Sequence, residues 1–268
     1  MRAAGRGGQP GGAASSLGLV AGPSGLNESV GINDNGSALT NGNLINYSYS
    51  TDGLLGYFAF YGGGFYSGLP INETAFSIQL NSNFNVTNSM ILWAQGGFDV
   101  HYQNSSYYYV EIWDNLWNST YPSFSLDPSL VSGNGSFSTC NNQTMYYYYA
   151  SRNGQRIYYV SKPPFYLYTG MFLTQNSYGY PQVYMYYRFA NSTYDSGWIL
   201  YDIITIKVPS NNPQFLTGIH SNIYSYDPSA PFVTQWVVGG LAGGAQLSVY
   251  SWNASMALYY EYDGQFYS

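Results

Sequence analysis

Asp114, Asp202 and Gln95 are the residues best placed in this sequence to do chemistry, because each is a polar group inside a strand-like, otherwise apolar run. Over residues 107–118 a period of two sets Tyr108, Val110, Ile112, Asp114 and Leu116 on one face, against Tyr107, Tyr109, Glu111, Trp113 and Trp117. Over residues 197–208 it sets Leu200, Asp202, Ile204, Ile206 and Val208 against Ile199, Tyr201, Ile203, Thr205 and Lys207. Gln95 shares a face with Ile91 and Trp93, opposite Met90, Leu92 and Ala94. A carboxylate on a core-facing position costs several kcal/mol unless it is protonated, paired or hydrogen-bonded. Two of them among only thirteen acidic residues mark a candidate site.

Two acid–base arrangements would use these groups. Asp114 and Asp202 could share one proton, since like charges about 3 Å apart cannot both ionise. Alternatively one carboxyl acts as base while the Gln95 amide donates to a developing oxyanion, with Asp202 or Asp114 as its partner. Against both stands a purely structural role, in which Asp114 caps a turn through Asn115 and Gln95 satisfies backbone groups at Gly96 and Gly97. The residue pattern alone leaves these open.

The elements that must position such groups are strands. From Ser29 onward short alternating or aromatic runs recur between Asn, Gly, Ser and Pro clusters at the spacing of a sandwich. In residues 183–188, Val183, Met185 and Tyr187 face away from Tyr184, Tyr186 and Arg188. No long amphipathic helix is evident; residues 53–66, GLLGYFAFYGGGFY, read as strand. The expected fold is all-β: an antiparallel β-sandwich, jelly-roll-like, of one large domain or two packed β subdomains, over residues 28–268 and truncated at its C-terminal end. Residues 1–27, rich in Gly, Ala and Ser, are expected to be a flexible or disordered N-terminal extension without the apolar core of a signal peptide. The glycines at 239–244 suit a turn between strands.

Composition limits the environment. Charged residues are 7% of the 268, against roughly 25% in an ordinary globular protein. No apolar run reaches the ~18 residues that span a bilayer, and 32 Tyr, 14 Phe and 6 Trp are too many for disorder. In strong acid, where carboxylates are neutral, this chain carries only seven positive charges from Lys and Arg plus two from His. Self-repulsion is correspondingly small, so the composition reads as acid adaptation. A pI near 4.5 without a basic cluster argues against nucleic acid. Cys140 is alone and His101 and His220 are the only imidazoles, so disulfide, metal and His-based nucleophile chemistry have no support. Asn-x-Ser/Thr acceptors stand at Asn27, Asn35, Asn46, Asn72, Asn85, Asn104, Asn118, Asn134, Asn142, Asn191 and Asn253. That density fits an exported glycoprotein.

An ordered series of motifs resembles the thermopsin family: LLGYF at 54–58, LWAQ at 92–95, WDNLWNST at 113–120, PPFYLY at 163–168, YDIITI at 201–206 and NASMALYY at 253–260. The resemblance covers about residues 28–262. It implies an all-β, secreted, often glycosylated endopeptidase of thermoacidophilic archaea, acting on polypeptides in acid without metal or cofactor. Gln95, Asp114 and Asp202 match its motifs and are the expected catalytic residues, with Trp93, Trp113, Trp117 and Tyr201 expected along a substrate groove. Asn46, Asn72, Asn85, Asn104, Asn142 and Asn191 are the expected glycosylation sites. The family stretch carries an acidic residue after the glutamine where this chain has Gly96, so position 96 is no catalytic option here. Two rival classes share the β pattern: a non-catalytic cell-surface or S-layer-like module, and an acid-stable glycan-binding or glycan-cleaving protein using the same Trp and carboxyl groups.

Overall fold

The computed structural model describes residues 15–17, 30–34, 37–40, 43–46, 48–65, 75–104, 106–120, 125–140, 143–218, 234–239 and 249–268. They form two large antiparallel sheets packed face to face, as the alternation predicts. The eight-stranded sheet runs in the order Ser15–Leu17, Val249–Tyr262, Gly53–Phe65, Phe165–Gln175, Pro181–Asn191, Ile199–Ile206 and Val131–Ser132, with Gln265–Tyr267 added beside Val249–Tyr262. The ten-stranded sheet centres on Ala75–Thr87, Met90–Tyr102 and Tyr108–Asn118. On its outer side, Tyr108–Asn118 pairs with both Gln143–Tyr149 and Tyr158–Ser161. One buried cluster draws on both sheets, including Phe58, Phe98, Val110, Met171, Met185 and Ile204.

Of the extension at 1–27, Ser15–Leu17 pairs with residues 254–256; the remainder lies outside the described residues, as do residues 240–244 of the glycine-rich turn. Val183, Met185 and Tyr187 are buried as expected, while Tyr184, Tyr186 and Arg188 are only partly covered. Met90–Tyr102 runs through Gly96 and Gly97 without interruption.

Strand Ile199–Ile206 departs from simple alternation. Met185 pairs with Asp202 but Tyr186 pairs with Leu200, which leaves Tyr201 as an extra residue in a β-bulge. The bulge turns both Tyr201 and Asp202 into the sandwich and leaves Leu200 41% exposed. The sequence pattern placed Leu200 inside and Tyr201 outside; one inserted residue reverses both.

The two sheets interlock at Gly56. Trp236 of the ten-stranded sheet is fully buried and donates its indole N–H to Tyr57 O at 2.8 Å, and a Cβ at position 56 would stand 2.5 Å from the indole. Gly56→Ala is therefore expected to destabilise the fold by about 1–3 kcal/mol through overpacking, measurable as a lower urea midpoint with unchanged slope.

Candidate active site

The bulge and the register of the facing sheet bring Asp202 and Asp114 into one buried cluster. Asp114 lies opposite Gly96 on one side and Tyr148 on the other, all three on the core face of the ten-stranded sheet. Asp202 faces it from the other sheet, and the two carboxyls are close enough for the charge of Asp202 to act on Asp114. Tyr146 and Tyr201 complete the group.

The two aspartates are held very differently. Asp202 accepts three hydrogen bonds: Oδ1 from the backbone N–H groups of Asn134 at 2.9 Å and Ile203 at 2.8 Å, and Oδ2 from the Tyr146 hydroxyl at 2.5 Å. Tyr146 Oη in turn accepts from Gly135 N at 2.7 Å, and Asn134 Nδ2 donates to Tyr201 O at 3.1 Å. A Cβ at Gly133 would sit 2.2 Å from Tyr146 Oη, so the Gly133–Gly135 turn can lie flat on this phenol only without side chains at its ends. Asp114 is fully buried, and neither of its oxygens has a hydrogen-bond partner among the described residues. The nearby Tyr201 hydroxyl spends its proton on Trp113 O at 3.0 Å.

These environments set the protonation states. Burial, then the charge of Asp202, push the Asp114 carboxyl well above the usual aspartate range, and the Tyr201 hydroxyl offsets little of this. Burial also raises Asp202, but its three donors favour the carboxylate and hold the rise in check. The pair therefore titrates in sequence, Asp202 losing its proton first and Asp114 retaining it. Burial and the adjacent carboxylates keep Tyr146 and Tyr201 as phenols.

Beside this cluster a cleft of about 660 Å³ opens between the edges of the two sheets. Asn134, Tyr148, Tyr159, Tyr187 and Tyr201 are among its walls. Tyr148 and Tyr201, stacked with ring centroids 6.4 Å apart, line the cleft, and Tyr201 is also beside the carboxyl pair. Of the four expected groove residues, Tyr201 lines this cleft. Tyr146, Tyr148 and Asn134 went unrecognised in the sequence, where two of them are undistinguished members of the run YYYYA.

Gln95 is not part of this cluster. It pairs with Asn115, one residue out of step with the Gly96–Asp114 pair, so its side chain projects from the opposite face of the sheet. There Gln95 Nε2 donates to Asn81 Oδ1 at 3.1 Å and Oε1 accepts from Trp117 Nε1 at 2.8 Å. Trp93, Trp113 and Trp117 occupy that outer face too, with Trp113 donating to Asp99 Oδ1 at 3.0 Å, and none of them lines the cleft. Asp99 and Glu111 stand directly opposite one another in the same face. Burial raises Asp99. Glu111 accepts from Tyr109 Oη at 3.0 Å, and His101 lies 3.6 Å and Arg156 3.4 Å away. Counting four residues on from Gln95, two steps of the alternation, would have found Asp99. Among the described residues no group of three His, Cys, Asp or Glu side chains is placed to hold a metal ion.

The sequons differ in exposure. Asn104 is exposed and its Oδ1 accepts from two turn N–H groups, whereas Asn85 is half-buried. Asn191 commits its amide nitrogen to Ser161 Oγ at 3.0 Å. Asn46 ends the strand Asn43–Asn46, and Asn72 and Asn142 lie outside the described residues.

A family model described as Thermopsin matches residues 19–268, nearly the whole chain. No curated protein matches it.

A carboxyl whose pKa is raised by folding stabilises the native state fully only below its unfolded value, near 4, and that contribution is lost as pH rises through the folded value. Asp99, Asp114 and Asp202 are all of this kind. Asp127 and Asp195 are lowered and act in the opposite sense, but both are solvent-exposed. The melting temperature is therefore expected to rise as pH falls from 7 toward 4, and Asp114→Asn to flatten that rise by raising stability at pH 7. A calorimetric series that is flat or falling over this interval would contradict the assignment.

Proposed function

The chain belongs to the thermopsin family, and from that premise we propose that it is an acid endopeptidase in which Asp202 and Asp114 activate water as a one-proton pair. The observation that carries this reading is a buried pair of aspartates from opposite sheets, one with three hydrogen-bond donors and one with none, behind a tyrosine-walled cleft. A stabilising core has no use for such a pair, since unpaired buried carboxyls cost free energy.

In the singly protonated state Asp202 is the base and Asp114 the acid. Asp202 takes a proton from water as the water oxygen bonds to the scissile carbonyl carbon, while Asp114 passes its proton to the carbonyl oxygen. On collapse the amide C–N bond breaks, the leaving nitrogen takes the proton held by Asp202, and the hydroxyl proton returns to Asp114. Tyr146 fixes the Asp202 carboxylate in orientation. The carboxyls are at most 1% exposed, so this mechanism requires the Tyr148 and Tyr201 rings to swing aside to admit substrate, with Tyr201 giving up its hydrogen bond to Trp113 O. Export to an acidic exterior, with glycans on exposed sequons such as Asn104, is part of the same proposal and is supported by the scarcity of charge.

Asp202→Asn should lower cleavage of acid-denatured protein by about 10²–10⁴ or more, the usual contribution of a general base, while circular dichroism and melting at pH 4 stay native. Full activity would remove Asp202 from the mechanism. The kcat/KM profile of the unmodified chain should be bell-shaped, rising as Asp202 deprotonates above the ordinary value of 3.8 and falling as Asp114 does so at higher pH. With Gln95 on the face opposite Asp114 and Asp202, a glutamine-assisted arrangement would have to use Asp99 or Glu111 in their place. Gln95→Ala separates the two: it should cost about 1–3 kcal/mol of stability by orphaning Trp117 Nε1 and Asn81 Oδ1, yet keep kcat. A loss of kcat in folded Gln95→Ala would move the chemistry to the outer face.

A further inference from the structure

The cleft contains a cation without an anion. Arg152 is the one charged side chain among its lining residues, in the company of Ser151, Ser196, Asn134 and the hydroxyl-bearing rings of Tyr159, Tyr187 and Tyr194. It sits on a short hairpin, Ser151–Arg152 paired with Gln155–Arg156. Asn153 and Gly154 at its tip both have positive φ, 53° and 75°, the turn that matches the twist of two tightly paired strands. The hairpin is thus a rigid mount rather than a loose loop. Its other arginine is fully engaged: Arg156 lies 4.0 Å over the Tyr149 ring and 3.4 Å from Glu111. Arg152 makes no ion pair or side-chain hydrogen bond with any described residue. Arg152 is exposed to solvent at the rim of the cleft, and in a chain with seven Lys and Arg in total its guanidinium is a scarce cation free to pair with an anion entering there.

Resting on the peptidase reading, we propose that Arg152 is a carboxylate-binding subsite of the cleft, which holds the free C-terminal carboxylate of short peptide substrates. A guanidinium presents a planar fork of donors that matches a carboxylate bidentately. Among peptide anions the terminal α-carboxyl ionises at the lowest pH, near 3.5, ahead of Asp and Glu side chains near 4. In acid it is therefore the anion most available. The cleft adjoins the Asp202–Asp114 pair through Tyr201 and Asn134, so a chain end anchored on Arg152 presents a bond a few residues upstream. The substrates so favoured are the oligopeptides that a preceding endoproteolytic step releases, each carrying a new carboxylate.

The test is a binding measurement on the Asp202→Asn protein at pH 4.5, by calorimetry, with three versions of one aromatic hexapeptide: free acid, C-terminal amide, and amide with an internal Glu. The free acid should bind about tenfold or more tightly than the plain amide, as expected for a charge-assisted bidentate pair. The ratio should fall to about one in Asp202→Asn/Arg152→Gln, with Asp202→Asn/Arg152→Lys intermediate. Equal affinities for acid and amide overturn the subsite, and so does a preference that survives Arg152→Gln. Tight binding of the internal-Glu amide alone overturns the terminal assignment in favour of side-chain recognition. Digestion of denatured protein by the unmodified chain reports separately on the peptidase reading, so either proposal can fail without the other.

Discussion

Two carboxyl groups enclosed between packed sheets are the constraint around which this molecule is arranged. An aspartate in a protein interior survives by being hydrogen-bonded or by staying protonated, and this structure uses one solution for each. Asp202 draws donors from a phenol and two backbone amides, and the Gly133–Gly135 turn exists in its flat form so that Tyr146 and the Asn134 N–H can reach it. Asp114 receives nothing and is kept neutral by its surroundings. The asymmetry pulls the protonation of two chemically identical groups apart through their environments alone.

The same logic explains the charge economy of the rest. Among the described residues the ion pairs are few: Arg188 with Asp195 on the surface, and Glu111 with Arg156 and His101 on the outer face. Aromatic contacts take over the work, as in the parallel rings of Tyr159 and Phe189, 4.4 Å apart, and the Tyr159–Tyr187 hydroxyl contact at 3.1 Å. Neither depends on carboxylate ionisation, so acid removes little that holds the sheets together.

Much of this architecture was legible in the sequence and a definable part was not. Alternation read the inward faces of Tyr108–Asn118 and Pro181–Asn191 correctly, because a half-buried strand leaves a strict period-two record. It failed at Leu200 and Tyr201, where a bulge inserts one residue and no glycine or proline announces it. It also failed to separate Gln95 from Asp114: each was correctly placed within its own strand, but which faces of two strands coincide depends on register, and register is a pairing property that a single strand's pattern does not contain. Asn134 and Tyr146 were hidden for another reason. Their roles arise from partners remote in the chain, Asn134 meeting Asp202 and Tyr201 at 68 and 67 positions and Tyr146 meeting Asp202 at 56, and composition gives no sign of such meetings.

One consequence follows from where the two acids are rooted. Each belongs to a different sheet, so neither layer carries the pair by itself, and a nascent chain that has made only the first hundred and fifty residues possesses Asp114 but no counterpart. The carboxyl pair is assembled by the same docking event that completes the core. Any loosening between the two layers would part the pair before a single strand is lost.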